Sequence, residues 1–99
     1  MNKHTPGPWR DGKWGASVVS DTPIAGGING SDAVESYGGY LIAESISECN
    51  KSLIVAAPEL LESLSNLVGL ARLGAANLSK YHAALAHAEA VIAKARGEP

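Results

Sequence analysis

Aromatic and basic side chains are concentrated around one short turn near the start of the chain. Trp9 and Arg10 precede the segment Asp-Gly-Lys (11–13), Trp14 follows it, and Tyr40 lies in a later strand-like segment. Aromatic faces stack on nucleotide bases or on partner side chains, and arginine pairs bidentately with phosphate or carboxylate. The tryptophans also have a structural interpretation, because a chain without phenylalanine needs other bulk in its core. Core packing is the favoured role for Trp9, whereas for Trp14 the two roles are equally weighted.

Two further polar residues lie where predicted helices begin and end. Asn50 is at a helix start, where free backbone N–H groups favour an anion, although an ordinary solvated first turn is the favoured interpretation. Arg72 is near a helix end, where it complements the negative terminus or lines a junction between subunits. The candidate ligand-binding residues are therefore Trp9, Arg10, Trp14, Tyr40, Asn50 and Arg72.

The residues that usually carry catalysis or bind metals lack the spacing for either. His82 and His87 are five positions apart, which separates them by about 140° on a helix, whereas shared ligands usually lie three or four apart. Cys49 has no recognisable nucleophile signature around it, and a lone cysteine near the start of an apolar helix is usually a small buried residue. The segment GGING (26–30) lacks the lysine of a phosphate loop. We predict no catalysis, metal or cofactor.

The composition of the 99 residues limits the class of protein. The net charge of −2 is spread evenly, without the basic stripe that nucleic-acid binding needs. A single cysteine indicates a reducing cytoplasm, and we expect neither a signal peptide nor a membrane span. A core of Leu, Ile, Val and Ala is small for such a short chain. We therefore expect a homo-oligomer, most simply a symmetric dimer.

The sequence predicts one domain, 1–99, with a β-rich half (1–45) and a helical half (46–99). The first half holds eight of the eleven glycines and reads as three or four antiparallel strands in a meander. Its strands include 16–20 and 37–45, and 26–32 is predicted to be a flexible loop. A sheet in the first half of the chain followed by helices in the second half is typical of the α+β class.

The helical half is predicted to form an antiparallel hairpin. Residues 47–57 are predicted to form a short helix with a kink or a restart at Pro58, and the helix 58–73 that follows is predicted to end at Gly74. The last helix starts at Ala76 or Asn77 and runs to about Arg96.

Two short motifs carry a resemblance to a group of small phage and prophage proteins. Members begin with a segment like HTPGPW, which is present here in full at residues 4–9. They also carry an Asn-x-x-Leu-Ile-x-x-Ala-Pro-Glu-Leu-Leu segment, which this chain matches over residues 50–61. The two motifs cover about a fifth of the chain, and 21–36 and the last helix carry none of the resemblance.

The resemblance implies a phage origin and, by analogy with other small accessory phage proteins, a role against host defence. The leading hypothesis is a non-enzymatic protein that binds and sequesters a small cyclic nucleotide signal at a subunit junction, as antagonists of the Thoeris and CBASS systems do. The alternative is an inhibitor that contacts a host defence protein, in the manner of anti-CRISPR proteins. The HTPGPW segment is interpreted as a rigid clasp that joins the two halves, since its prolines favour extended backbone.

Overall fold

The computed structural model describes residues 4–14, 16–73 and 78–98. In chain order the elements are β1 (Trp9–Asp11), β2 (Val18–Ser20), α1 (Ser31–Tyr37), β3 (Tyr40–Ala43), α2 (Glu48–Arg72) and α3 (Leu78–Ala95). An antiparallel sheet is followed by two packed helices, which confirms the predicted α+β class.

The sheet has the order β1-β2-β3, and both pairs of strands are antiparallel. Its central strand is the best-buried part of the protein, since Val18 and Val19 are fully enclosed and the flanking serines Ser17 and Ser20 nearly so. β-branched residues favour such a position, because their stiff side chains pack well on a pleated surface. The register shifts between Val18 and Val19 where β2 pairs with β3.

The predicted loop at 26–32 is wrong in its second part, because α1 begins at Ser31. The helix ends at Gly38, which has a left-handed backbone with φ of 81°. The amides of Gly38 and Gly39 both donate to the carbonyl of Val34 at 2.9 Å, which is the usual way for a helix to end in glycine. The pair Gly38-Gly39 was therefore the sequence signal for this helix.

Pro58 lies inside α2, which continues through it as one helix of 25 residues. Of the two predicted alternatives, the restart at Pro58 is therefore wrong, and the kink stays a prediction. A proline inside a helix removes one backbone donor, so the site must be supported by packing. Support comes from the N-terminal segment, because a methyl group on Gly7 would lie 2.7 Å from Cβ of Pro58. This contact agrees with the interpretation of HTPGPW as a clasp between the two halves.

The helix hairpin is formed by α2 and α3, which pack on one another, and the buried residues of the two helices are Ala56, Ser63, Ala88 and Val91. The predicted stop at Gly74 and the predicted starts at Ala76 and Asn77 lie outside the described residues. The sheet packs on α2, and the molecule measures 51 × 30 × 15 Å. The shape is thus an elongated plate whose core is thin.

One hydrogen bond between α1 and the end of β3 makes stability depend on pH. The hydroxyl of Tyr37 donates to Glu44 at 2.6 Å, and this bond, followed by desolvation and the charge of Glu44, raises the pKa of Tyr37 above its ordinary value of 10.0. Because the pKa of Tyr37 is higher in the folded state than in the unfolded state, this group contributes fully to stability at a pH below the unfolded-state pKa. The contribution is lost as the pH rises through the folded-state pKa.

We therefore expect the free energy of unfolding to fall above pH 10 more steeply in the natural protein than in Tyr37→Phe. Urea denaturation at pH 8 and at pH 11 measures the difference. Tyr40→Phe is the matched control, since the hydroxyl of Tyr40 makes no hydrogen bond to a carboxylate within the described part of the chain. Equal slopes for Tyr37→Phe and the natural protein would contradict this account.

Candidate binding site

Arg10 is held in place by the protein itself. Its Nη2 donates to Oδ1 of Asp21 at 2.7 Å and to the carbonyl of Gly38 at 2.8 Å. The guanidinium thereby ties β1 to the residue that ends α1. Because the guanidinium of Arg10 already makes these hydrogen bonds within the protein, a structural role is the simpler explanation of this arginine.

The aromatic residues of the candidate set have different surroundings. Trp9 is half-buried, its indole N–H donates to the carbonyl of Thr5 at 3.3 Å, and its ring meets His4 edge-on at 6.4 Å between centroids. Tyr40 is half-buried in β3. Trp14 is 66% exposed. Trp9 and Tyr40 are therefore only partly accessible, and Trp14 is the most exposed aromatic side chain of this set.

Asn50 and Arg72 do not meet in one chain. They lie in the first and last turns of α2, and 22 residues of helix at 1.5 Å each separate them by about 33 Å. Both are exposed. The six residues chosen from the sequence consequently do not form one site within a single chain.

Cys49 is exposed, so its interpretation as a small buried residue is wrong. It lies in the first turn of α2. Its Sγ is 3.7 Å from Oδ1 of Asn50.

One concave surface of the described part of the chain lies between the N-terminal segment and α2. It encloses about 610 Å³ and is lined by His4, Pro6, Gly7, Pro8, Pro58, Glu59, Leu61, Glu62 and Ser65. Glu59 accepts a hydrogen bond from Lys94 at 2.5 Å, and Glu62 is exposed. Glu62 thus adds a negative charge beside the Glu59–Lys94 ion pair and repels a phosphate, which makes this groove poorly suited to an anionic ligand.

The second concave surface, the interhelical cleft, lies between α2 and α3. It encloses about 360 Å³ and is lined by Ser63, Asn66, Leu70, Lys80, Ala83, Ala84 and His87. Among the residues described, no acidic side chain lines this cleft. Its polar groups are one amine, one imidazole, one amide and one hydroxyl, a set that can donate several hydrogen bonds to an anion.

Ser63 gives the cleft an unsatisfied hydroxyl. The residue is 5% exposed, and its Oγ has no hydrogen-bond partner in the described part of the chain. A buried hydroxyl without a partner costs free energy, so such a group usually serves a bound molecule or an ordered water. Ser63 therefore marks the floor of the cleft as a place for a polar ligand atom.

The family model described as Salmonella phage P22 protein Y8K6 matches residues 1–99. The chain belongs to this family. It is a phage protein, as the resemblance in the two short motifs implies. No curated protein and no solved structure matches the chain.

The cleft of this Y8K6-family protein has a sequence signal that spacing arguments missed. Ser63, Asn66 and Leu70 follow one another at three and four residues, as do Lys80, Ala84 and His87. Residues with that spacing share one face of a helix. The five-residue spacing from His82 on the same helix gives no hint of this cleft, because His87 lines it together with residues of the other helix.

α2 is also long and apolar enough to cross a membrane, judged by length and composition alone. Core helices of soluble proteins satisfy the same criterion. Here the helix carries Glu59 and Glu62 near its middle, and a charged residue at the centre of a bilayer costs roughly 3 kcal/mol. The paired Lys94 on α3 adds a further charge at the same level. These charges favour an aqueous surface for α2.

Proposed function

We propose that this phage protein is a non-enzymatic anti-defence protein that binds a small phosphorylated nucleotide signal in the interhelical cleft and sequesters it. The observation that carries the proposal is the donor-rich lining of the cleft: Lys80, His87, Asn66 and the unsatisfied hydroxyl of Ser63. This placement moves the ligand from the aromatic turn and the subunit junction to a cleft within one hairpin.

Charge supports a phosphorylated ligand. The whole chain is slightly acidic, with a net charge of −2, yet the cleft combines a lysine with a histidine and has no carboxylate among its described lining residues. A lysine is a point charge that binds phosphate readily, and amide and hydroxyl donors add direction to the contact. The acidic groove beside Pro58 offers the opposite environment.

The size of the cleft also supports a small ligand. A volume of about 360 Å³ lies at the lower end of the range for small-molecule sites, roughly 300 to 1,000 Å³. Leu70, Ala83 and Ala84 supply an apolar wall against which a base can lie. A single nucleotide unit matches both the volume and the division into polar and apolar walls.

Binding without turnover is supported by the arrangement of the only hydroxyl and imidazole in the cleft. A serine nucleophile needs a base within hydrogen-bond reach. Oγ of Ser63 has no such partner in the described part of the chain, so His87 is not bonded to it. The two groups can therefore contact one ligand from separate helices without forming a nucleophile and base.

A panel of cyclic nucleotides and ADP-ribose derivatives tests this proposal. We expect at least one member to raise the melting temperature, to bind in calorimetry, and to be recovered chemically intact after the protein is denatured by heat. A ligand recovered in altered form would show an enzyme. Absence of binding by every member of the panel would refute nucleotide sequestration.

A second function, inhibition of a host defence protein by direct contact, is favoured by one observation. Trp14 is 66% exposed at a turn beside the sheet, and exposed tryptophans are typical anchors of protein interfaces. This function predicts a stoichiometric protein captured from host lysate by the natural chain and lost with Trp14→Ala. Nucleotide sequestration predicts no such captured protein.

A further inference from the structure

One broad apolar surface of the helix hairpin faces solvent. The apolar face, as we define it, consists of residues on both helices that are each between 37% and 61% exposed: Leu53, Leu61, Leu64 and Val68 on α2, and Leu78, Leu85 and Ile92 on α3. The three residues of α3 are spaced by seven, the repeat of a helix that packs along a neighbouring helix.

The apolar residues of α2 and the apolar residues of α3 lie on the same side of the hairpin. The direction of each side chain around its helix axis follows from 3.6 residues per turn. On each helix, the mean direction of the apolar residues differs by roughly 150° from the mean direction of the residues that line the interhelical cleft. The buried residues Ala56 and Ala88 lie between the two directions. Because the helices are antiparallel, both apolar sets emerge opposite the interhelical cleft. The apolar face is thus continuous, and covering it leaves the cleft open.

The solvent-accessible surface area of the chain indicates how much surface is available for association with a partner. The chain exposes 6722 Å², whereas a monomer of its 10.2 kDa is expected to expose roughly 5,300 Å². The radius of gyration is 15.9 Å, compared with about 12.6 Å for a compact domain of this length. The surplus exceeds the roughly 800 Å² that each partner buries in an interface of standard size.

The part of α2 that follows Glu62 and contributes Leu64 and Val68 to the apolar face has no charged side chains. Residues 63–71 contain no charged side chain. Glu59 and Glu62 point away from the apolar face by more than 90°, given their positions on the helix. Along α2, a second copy therefore meets no carboxylate, whereas on α3 Glu89 lies four residues after Leu85 and three before Ile92, at the border of the apolar face.

The order of residues along α2 fits a second copy related by a twofold axis. In a symmetric dimer one patch must complement itself. Leu61 lies near the middle of the apolar face, with Leu53 eight residues before it and Val68 seven after it. An antiparallel pairing centred on Leu61 places each Leu53 opposite a Val68, and each Asn50 opposite an Arg72, since both are eleven residues from the centre.

We infer that a second copy of this chain covers the apolar face, with the two α2 helices antiparallel and crossing at Leu61. The pairing brings Asn50 and Arg72 together, where the amide oxygen of one accepts from the guanidinium of the other. The pairing also buries the apolar face of the hairpin, which a single chain leaves exposed. This dimer is independent of nucleotide binding, because the cleft opens on the opposite side.

Sedimentation equilibrium of the full chain between 1 and 100 µM tests the dimer. We expect twice the mass of the 10.2 kDa chain for the natural protein. Leu64→Glu is expected to weaken the dimer by roughly a hundredfold, because two unpaired carboxylates would enter the interface. Ile28→Glu is the matched control, since Ile28 is equally apolar and 53% exposed but lies outside the hairpin, and it is expected to remain dimeric. Circular dichroism verifies that both variants keep their helices.

The crossing point is tested separately with Leu61→Cys in a Cys49→Ser background. Mild oxidation is expected to link two copies through residue 61, whereas Ile28→Cys in the same background is expected to stay unlinked. A natural protein that is monomeric at every concentration would overturn the inference. So would a dimer that Leu64→Glu leaves intact, or a monomer that floats with phosphatidylglycerol vesicles, which would make a lipid surface the occupant of the apolar face.

Discussion

Gly12→Ala is expected to lower the free energy of unfolding by about 2–3 kcal/mol, because the added methyl group has no space. It would overlap Oγ of the buried Ser17 and come within 3.1 Å of both the carbonyl of Tyr37 and a methyl group of Val19. The carbonyl belongs to the backbone and Val19 is fully buried, so neither can move without disturbing the sheet. Urea denaturation followed by circular dichroism measures the change.

Gly69→Ala is the matched control for this prediction. Gly69 lies in α2, and nothing is within 4 Å of the position that a methyl group would occupy. Since alanine is the better helix former by about 1 kcal/mol, this variant should be as stable as the natural protein or more so. A loss of stability in Gly69→Ala that equals the loss in Gly12→Ala would refute the packing explanation.

Lys80→Ala is expected to weaken binding of the responsive nucleotide by roughly tenfold to a hundredfold, since hydrogen bonds to charged groups contribute about 1.5–3 kcal/mol. Lys80 lines the cleft, and the proposal has its amine contact the phosphate of the ligand. His87→Ala should weaken binding in the same direction. Titration calorimetry at fixed ionic strength measures both effects.

Arg72→Ala and Trp14→Ala are the controls for the cleft. Both residues belong to the set chosen from sequence, and neither lines the interhelical cleft. The cleft account predicts natural affinity for both variants. Full loss of binding in Trp14→Ala, with Lys80→Ala unaffected, would place the ligand at the aromatic turn instead.

The general architecture was predictable because its signals are local. β-Branched residues with turn signals on either side marked the strands, and apolar residues at three- and four-residue spacing marked the helices. The short helix α1 was missed because the glycines of 26–30 dominated the interpretation of that segment. Its decisive signal, Gly38 followed by Gly39, lies at the far end of the helix.

The candidate site was not predictable in the same way. Ser63 and His87 are 24 residues apart, and only the register of the hairpin places them on one cleft. Local composition instead drew attention to Arg10, whose charge is engaged by Asp21 and by the end of α1. Residue type identified groups capable of binding phosphate, whereas their positions depended on how two helices pack.

The most direct test of the cleft as the nucleotide site is an amide nitrogen–proton NMR titration with the panel member that stabilises the protein most. The account predicts shifts concentrated at 63–70 and 80–87, with the amides of Arg10, Trp14 and Tyr40 unchanged, and a ligand that remains intact throughout. Shifts concentrated at Arg10, Trp14 and Tyr40, with the cleft amides unchanged, would contradict it.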